Sequence, residues 1–267
     1  MAQAHGRRGP IIAVRHVSKS FGGIAAVQDC TLDVPRGSIT GLIGPNGAGK
    51  TTLFNIIAGF IAPDEGEVLL DGQKVTGLPP HRLFHRGLVR TFQIPQVFER
   101  MSVLDNLMLS PPGQSGESLF TTWLRPGRML AEERAICGRA EDVLETLEIG
   151  HLRDEHAGNL SGGQKKLLEL GRTMMVQPRA VLLDEPGAGV NPTLLAKLSD
   201  NILRLNREHG YTFCIIEHDM DLIAQLCDPI IVLAEGRVLA EGTMDEIRSN
   251  PAVLDAYLSR TVTEPAQ

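Results

Sequence analysis

No apolar run in this chain approaches the roughly 20 residues that a helix needs to cross a bilayer. Stretches such as Ile230–Ala234 are far shorter, so no transmembrane segment is expected. Cysteine is sparse: Cys30, Cys137, Cys214 and Cys227 stand far apart with no C-x-x-C pair. That scatter speaks against a structural metal site and for reduced thiols in a cytosolic protein. Basic charge is also short, with 26 Lys and Arg against 32 Asp and Glu and a formal net charge of −6. Proteins that track phosphate backbones carry the opposite excess, so no nucleic-acid partner is expected. Arg7 and Arg8 precede an apolar run, Ile11–Val14, too short for a secretory leader. Internal repeats, low-complexity blocks, long heptad runs and a second phosphate loop are all missing. These absences leave a soluble intracellular protein whose 267 residues suit one domain.

Within it, residues 1–10 are polar and Gly-rich and read as disordered. Residues 11–260 read as a single domain, with a core at about 11–93 and 161–235. A helical insert occupies about 94–160, and helices close the chain at about 243–260. Strand-like runs up to Leu70 are broken by turn signals at Gly22–Gly23, Pro35–Gly37 and Asp64–Gly66. Asp71–Gly72 marks a tight turn after Leu69–Leu70. Pro79–Arg86 reads as a short helix and Leu88–Gln93 as a strand. In the insert, Ser102 is placed to cap a helix over Val103–Leu109. Pro111–Gly127 reads as a surface loop carrying the single tryptophan, Trp123. Arg128–Glu148 shows helical spacing, with Ala135, Val143, Leu144 and Leu147 on one apolar side. Beyond Ser161, helices alternate with apolar strands at Ala180–Asp184, Thr212–Ile216 and Ile230–Leu233. Continuous apolar strands separated by helices predict a parallel sheet covered on both faces.

The most informative run is Gly44, Pro45, Asn46, Gly47, Ala48, Gly49, Lys50, Thr51, Thr52. It fits the phosphate-loop pattern G-x-x-x-x-G-K-[ST], between an apolar strand at Ser38–Ile43 and a helix over Thr52–Ala58. Glycines let successive N–H groups turn toward a triphosphate, and the helix N-terminus adds positive potential. Lys50 would lie against the outer phosphates and the Thr51 hydroxyl would ligate Mg²⁺. Strand Ala180–Asp184 ends in two carboxylates: Asp184 to hold the Mg²⁺ shell and Glu185 to take a proton from water. Leu160-Ser161-Gly162-Gly163-Gln164 places a capping serine and two glycines at a helix start, a second anion site. One nucleotide needs only one phosphate loop, so the second site suggests two subunits sharing each nucleotide. His218, just after strand Thr212–Ile216, is placed to reach a γ-phosphate. Gln93, at another strand end, either coordinates Mg²⁺ or orients water.

Taken together, these motifs resemble in content and order the ATP-binding subunit of ABC transporters, over nearly the whole chain. LSGGQ discriminates, because most other phosphate-loop ATPases lack it. The resemblance implies an α/β fold: a P-loop NTPase (RecA-like) core with an N-terminal antiparallel β subdomain and an inserted α-helical subdomain. It implies that Phe21 stacks on adenine, Glu185 is the catalytic base and His218 contacts the γ-phosphate. Ser161, Gly162, Gly163 and Gln164 would reach the nucleotide held by the opposite subunit. Two departures stand out: Phe21 where Tyr is frequent, and Asn191 where many relatives have Asp, which bears on a polar contact at the dimer interface. LLELGRTMM, PGAGVNP, IEHDM and RTFQIPQVFERMSVLDN look most like the ATPases of branched-chain amino acid importers. Such a subunit needs integral permease subunits, a second ATPase (identical or paralogous) and, indirectly, a solute-binding protein. It would sit peripherally on the cytoplasmic face of the plasma (inner) membrane. The stretch Ile94–Leu107 is where a permease helix would dock, with Phe98 and Met101 as apolar anchors. The alternatives are a urea or amide importer, a lipid-type exporter, or a non-transport ABC ATPase acting on nucleic acid or the ribosome.

Overall fold

Two-residue turns at three places along the chain each reverse a strand onto its neighbour. In a computed structural model that describes residues 9–91, 95–112, 114 and 126–261, Gly22–Gly23 joins β1 (Ile12–Phe21) to β2 (Ile24–Val34). Asp71–Gly72 joins β4 (Glu65–Leu70) to β5 (Gln73–Lys74), and Glu235–Gly236 joins β9 (Ile230–Ala234) to β10 (Arg237–Gly242). Both turn residues have positive φ in every case. That geometry matches the right-handed twist of hairpin strands and favours Gly, Asn and Asp.

The described residues fall into two compact units. The first comprises the chain up to Arg90, Arg179–Gly187 and everything from Ile202 onward. It holds a four-stranded antiparallel sheet in the order β2-β1-β4-β5. It also holds a six-stranded sheet in the order β10-β9-β3-β8-β7-β6. Here β3 is Ile39–Ile43, β6 Leu88–Arg90, β7 Ala180–Asp184 and β8 Thr212–Ile216. β9, β3, β8, β7 and β6 run parallel, whereas β10 is antiparallel at the edge. The all-parallel expectation missed that strand. Its residues alternate between exposed and half-buried, so it lacks the continuous apolar run of a covered strand. By contrast every residue of β3, β7 and β8 is buried. Helix α1 (Lys50–Ile57) lays Leu53, Phe54 and Ile57 into the same core, as do Val14, Leu32 and Val68 of the antiparallel sheet. Each such side chain contributes about 1.5–3 kcal/mol through burial. Helices α2 (Pro80–His85), α7 (Met220–Leu226), α8 (Met244–Ser249) and α9 (Pro251–Thr261) belong to this unit.

The second unit takes the described parts of Thr91–Pro178 and Ala188–Asn201. Its helices are α3 (Val103–Met108), α4 (Pro126–Thr146), α5 (Gly162–Val176) and the first part of α6 (Pro192–His209). Ser102 caps α3, accepting a hydrogen bond from Asp105 N at 3.0 Å. On α4 the buried residues are Ile136, Ala140, Val143 and Leu144, with Leu147 just beyond, while Ala135 is exposed. Ile136 lies seven residues before Val143 and so keeps the helical face; Ala135 lies one position off it. α5 packs closely here, since a Cβ at Gly171 would come within 2.9–3.2 Å of Leu147, Leu107 and Val143. Trp123 lies outside the described residues.

Candidate functional site

The sheet order decides what meets at the site. β3, β8 and β7 are parallel neighbours, so their C-terminal ends share one edge, the place where open α/β sheets hold ligands. The Gly44–Thr52 run leaves β3, Glu217 and His218 leave β8, and Asp184–Glu185 ends β7.

Two glycines in the first loop are required by geometry. Gly44 has φ 150°, and a Cβ there would lie 2.1 Å from the Leu233 carbonyl oxygen. Gly49 has φ 98°, and its Cβ would lie 2.3 Å from the Ala26 oxygen. Any larger residue would clash with backbone and push the loop away from its position over the sheet. The helix begins at Lys50, two residues earlier than the spacing predicts, so Lys50 and Thr51 occupy its first turn. Lys50 is buried and donates from Nζ to the carbonyls of Gly44 (2.7 Å) and Pro45 (3.1 Å). Thr51 is exposed.

Glu185 has φ 48° and donates its N–H to the Ile216 carbonyl at 2.9 Å. That bond extends the β7–β8 ladder by one rung. Its Oε1 lies 3.0 Å from His218 Nε2. Asp184 is buried and ion-paired through Oδ2 to Arg90 Nη2 at 2.8 Å. Arg90 also donates from Nη1 to Asn55 on α1 at 2.6 Å. Breaking a buried pair of this kind costs on the order of 3–5 kcal/mol. Sequence reasoning missed Arg90. An arginine inside a short apolar strand was the available signal, but its partner lies 94 residues away. It also missed Glu217, a buried carboxylate at the end of an apolar strand.

Phe21, in the same unit, ends β1 with its ring half exposed and Lys19 Nζ 5.5 Å from the ring centroid. Gln93 lies outside the described residues. Ser161 and Gln164 belong to the second unit and form a reciprocal cap on α5. Ser161 Oγ accepts from Gln164 N at 3.3 Å, and Gln164 Oε1 accepts from Ser161 N at 2.9 Å. Gly162 is exposed with open space around it, whereas a Cβ on Gly163 would meet Leu194 at 2.6 Å. Asn191 Oδ1 accepts from Leu194 N at 2.9 Å, capping the start of α6. Asn serves as well as Asp in that local role.

The ABC transporter family profile matches residues 27–188. The chain belongs to the ATP-binding cassettes of ABC transporters. A second profile, the branched-chain amino acid ATP-binding cassette transporter family, matches residues 237–258 of this cassette. A relative in Archaeoglobus fulgidus, the probable branched-chain amino acid transport ATP-binding protein LivG, is 43% identical over 254 residues, covering 95% of this chain and 97% of that protein. Among solved structures, a nucleotide-free ATP-binding cassette from an ABC transporter matches with a TM-score of 0.79 at 38% identity, over 92% of this cassette and 98% of that one. A dimeric, post-hydrolysis cassette bound to ADP and Pi matches with a TM-score of 0.71 at 26% identity, over 87% and 98% respectively.

Proposed function

We propose that this cassette hydrolyses ATP to drive import of branched-chain amino acids, paired with a second ATPase, identical or paralogous. It docks on integral permease subunits at the cytoplasmic face of the membrane, and a solute-binding protein delivers cargo to the permease. Among the described residues no helix is long and apolar enough to cross a membrane, which suits a peripheral subunit. The observation that carries the solute class is the C-terminal segment, residues 237–258, fitting the branched-chain family.

Each part of the site then has a task. Phe21 stacks on adenine, and Gly44–Thr52 cradle the phosphates through backbone N–H groups. Lys50, tethered to the carbonyls of Gly44 and Pro45, supplies a cation for the outer phosphates. Thr51 and Asp184 offer hard oxygen donors of the kind that suits Mg²⁺, and Gln93, outside the described residues, carries an amide oxygen of the same chemical class. When bound there, Mg²⁺ would neutralise charge on the β- and γ-phosphates. Glu185 accepts a proton as the water oxygen bonds to the γ-phosphorus and the bond to the ADP oxygen breaks. His218, hydrogen-bonded to Glu185, contacts the γ-phosphate. Ser161, Gly162, Gly163 and Gln164 complete the site of the opposite subunit, so ATP joins the pair and hydrolysis releases it.

Reconstitution in proteoliposomes with the permease and binding protein tests the reading. ATP turnover and uptake should rise with leucine, isoleucine or valine. Stimulation by urea or amides instead, or by none of these solutes, overturns the solute assignment.

A further inference from the structure

β7 and β8 separate just past their last backbone rung, the Glu185 N–H to Ile216 carbonyl bond. At the next step no backbone carbonyl takes over, and a side chain does. Glu217 is buried at 5% exposure. Its Oε1 accepts from the Gly187 N–H at 2.5 Å, and its Oε2 accepts from the His218 N–H at 3.0 Å. One carboxylate therefore ties the loop that follows Glu185 to the residue that pairs with Glu185. A rigid planar group with both oxygens engaged leaves little freedom to either segment. Ionised acceptors also make shorter, stronger bonds to N–H donors than neutral ones do.

We propose that Glu217 is a positioning residue for ATP hydrolysis. Its carboxylate clamps Gly187 to His218 so that His218 Nε2 and Glu185 Oε1 stay in register. Its two oxygens are engaged by the Gly187 and His218 N–H groups, so it acts through the Glu185–His218 pair. All four residues of the arrangement (Glu185, Gly187, Glu217 and His218) belong to one compact unit, so the clamp works within a single packed body. This rests on the roles given to Glu185 and His218 above.

The test is Glu217→Gln. The amide keeps the shape but turns an N–H₂ group toward one of the two N–H donors, breaking one tie. A misplacement of this kind near reacting groups costs on the order of tenfold or more in rate. Single-turnover hydrolysis should slow by roughly that factor, with ATP affinity unchanged. In a His218→Ala background the same substitution should have little further effect, because the group it positions is gone. Equal losses in both backgrounds, an unchanged rate, or a parallel loss of ATP affinity would overturn the proposal. Amide hydrogen exchange in nucleotide-free wild-type protein gives a second readout, independent of turnover and of whether the variant folds. The Gly187 and His218 amides should exchange slowly, and rapid exchange at Gly187 sinks the clamp. Wild-type protein that hydrolyses no ATP with its partners present would instead defeat the functional reading and leave the clamp to the exchange data.

Discussion

Glu185 sits in a left-handed backbone conformation, bonded through its carboxylate to His218 and through its N–H to Ile216. A carboxylate held by both its side chain and its backbone is suited to receive a proton from a water within hydrogen-bond reach. Glu185→Gln preserves shape and most hydrogen bonds but removes the basic site. Turnover should fall by about 10²–10⁴-fold, the usual worth of a general base. ATP binding should persist, so the variant should accumulate as an ATP-bound dimer visible by size-exclusion chromatography. A turnover rate equal to wild type would take the proton-acceptor role away from Glu185. At this scale the sequence was partly readable. Gly44, Lys50, Asp184 and Glu185 announce themselves through local spacing. Arg90 and Glu217 do not, because their meaning depends on partners that only the folded sheet brings near: Asp184 for one, Gly187 for the other.

On α3 and the loop before it, one buried amide organises an exposed ring. Asn106 is fully buried; its Oδ1 accepts from Phe98 N at 2.8 Å and its Nδ2 donates to Phe98 O at 3.0 Å. The loop is therefore fixed while the Phe98 side chain stays half exposed, with the Arg172 guanidinium 5.3 Å from the ring centroid. A rigid backbone presenting an exposed aromatic has the character of an interface anchor. Phe98→Glu should abolish solute uptake by the assembled transporter while leaving ATP hydrolysis by the isolated cassette near wild type. Normal uptake in proteoliposomes would remove Phe98 from the docking surface. Element type and order were legible from periodicity and turn residues, since helices α1 to α7 and strands β7 to β9 all carry clear spacing. Two features escaped. β10 is half exposed and pairs by a hairpin, and on the apolar face of α4 Val143, Leu144 and Leu147 are buried as expected whereas Ala135 is exposed, being apolar without lying on the buried side.

Across the whole chain, three buried thiols couple stability to alkaline pH. Burial, with a smaller push from Asp29, raises Cys30 to about 12, and burial raises Cys214 to about 12. Cys227 is pushed higher still by burial, then by its neighbours Cys214 and Glu217. Burial also raises Tyr257, against the pull of a hydrogen bond with the Gly44 backbone. An unfolded thiol titrates near 9.0, so above that pH the unfolded chain sheds protons that the folded chain keeps. The stability tied to these thiols is thus complete below pH 9 and declines as pH climbs toward the folded values. Each thiol costs about 1.4 kcal/mol per pH unit in that window, or roughly 4 kcal/mol per unit for the three together. A domain with a total stability of about 5–15 kcal/mol cannot absorb that for long. Urea midpoints should be flat across pH 7–8.5 and fall steeply from pH 9 to 10.5. In a variant with Cys30, Cys214 and Cys227 all replaced by Ala, the midpoint should start lower, from lost packing, yet fall with a much shallower slope. Equal slopes in the two proteins would mean that alkaline loss of structure is driven elsewhere, with the Tyr257 phenol, beside the phosphate loop, the next group to replace.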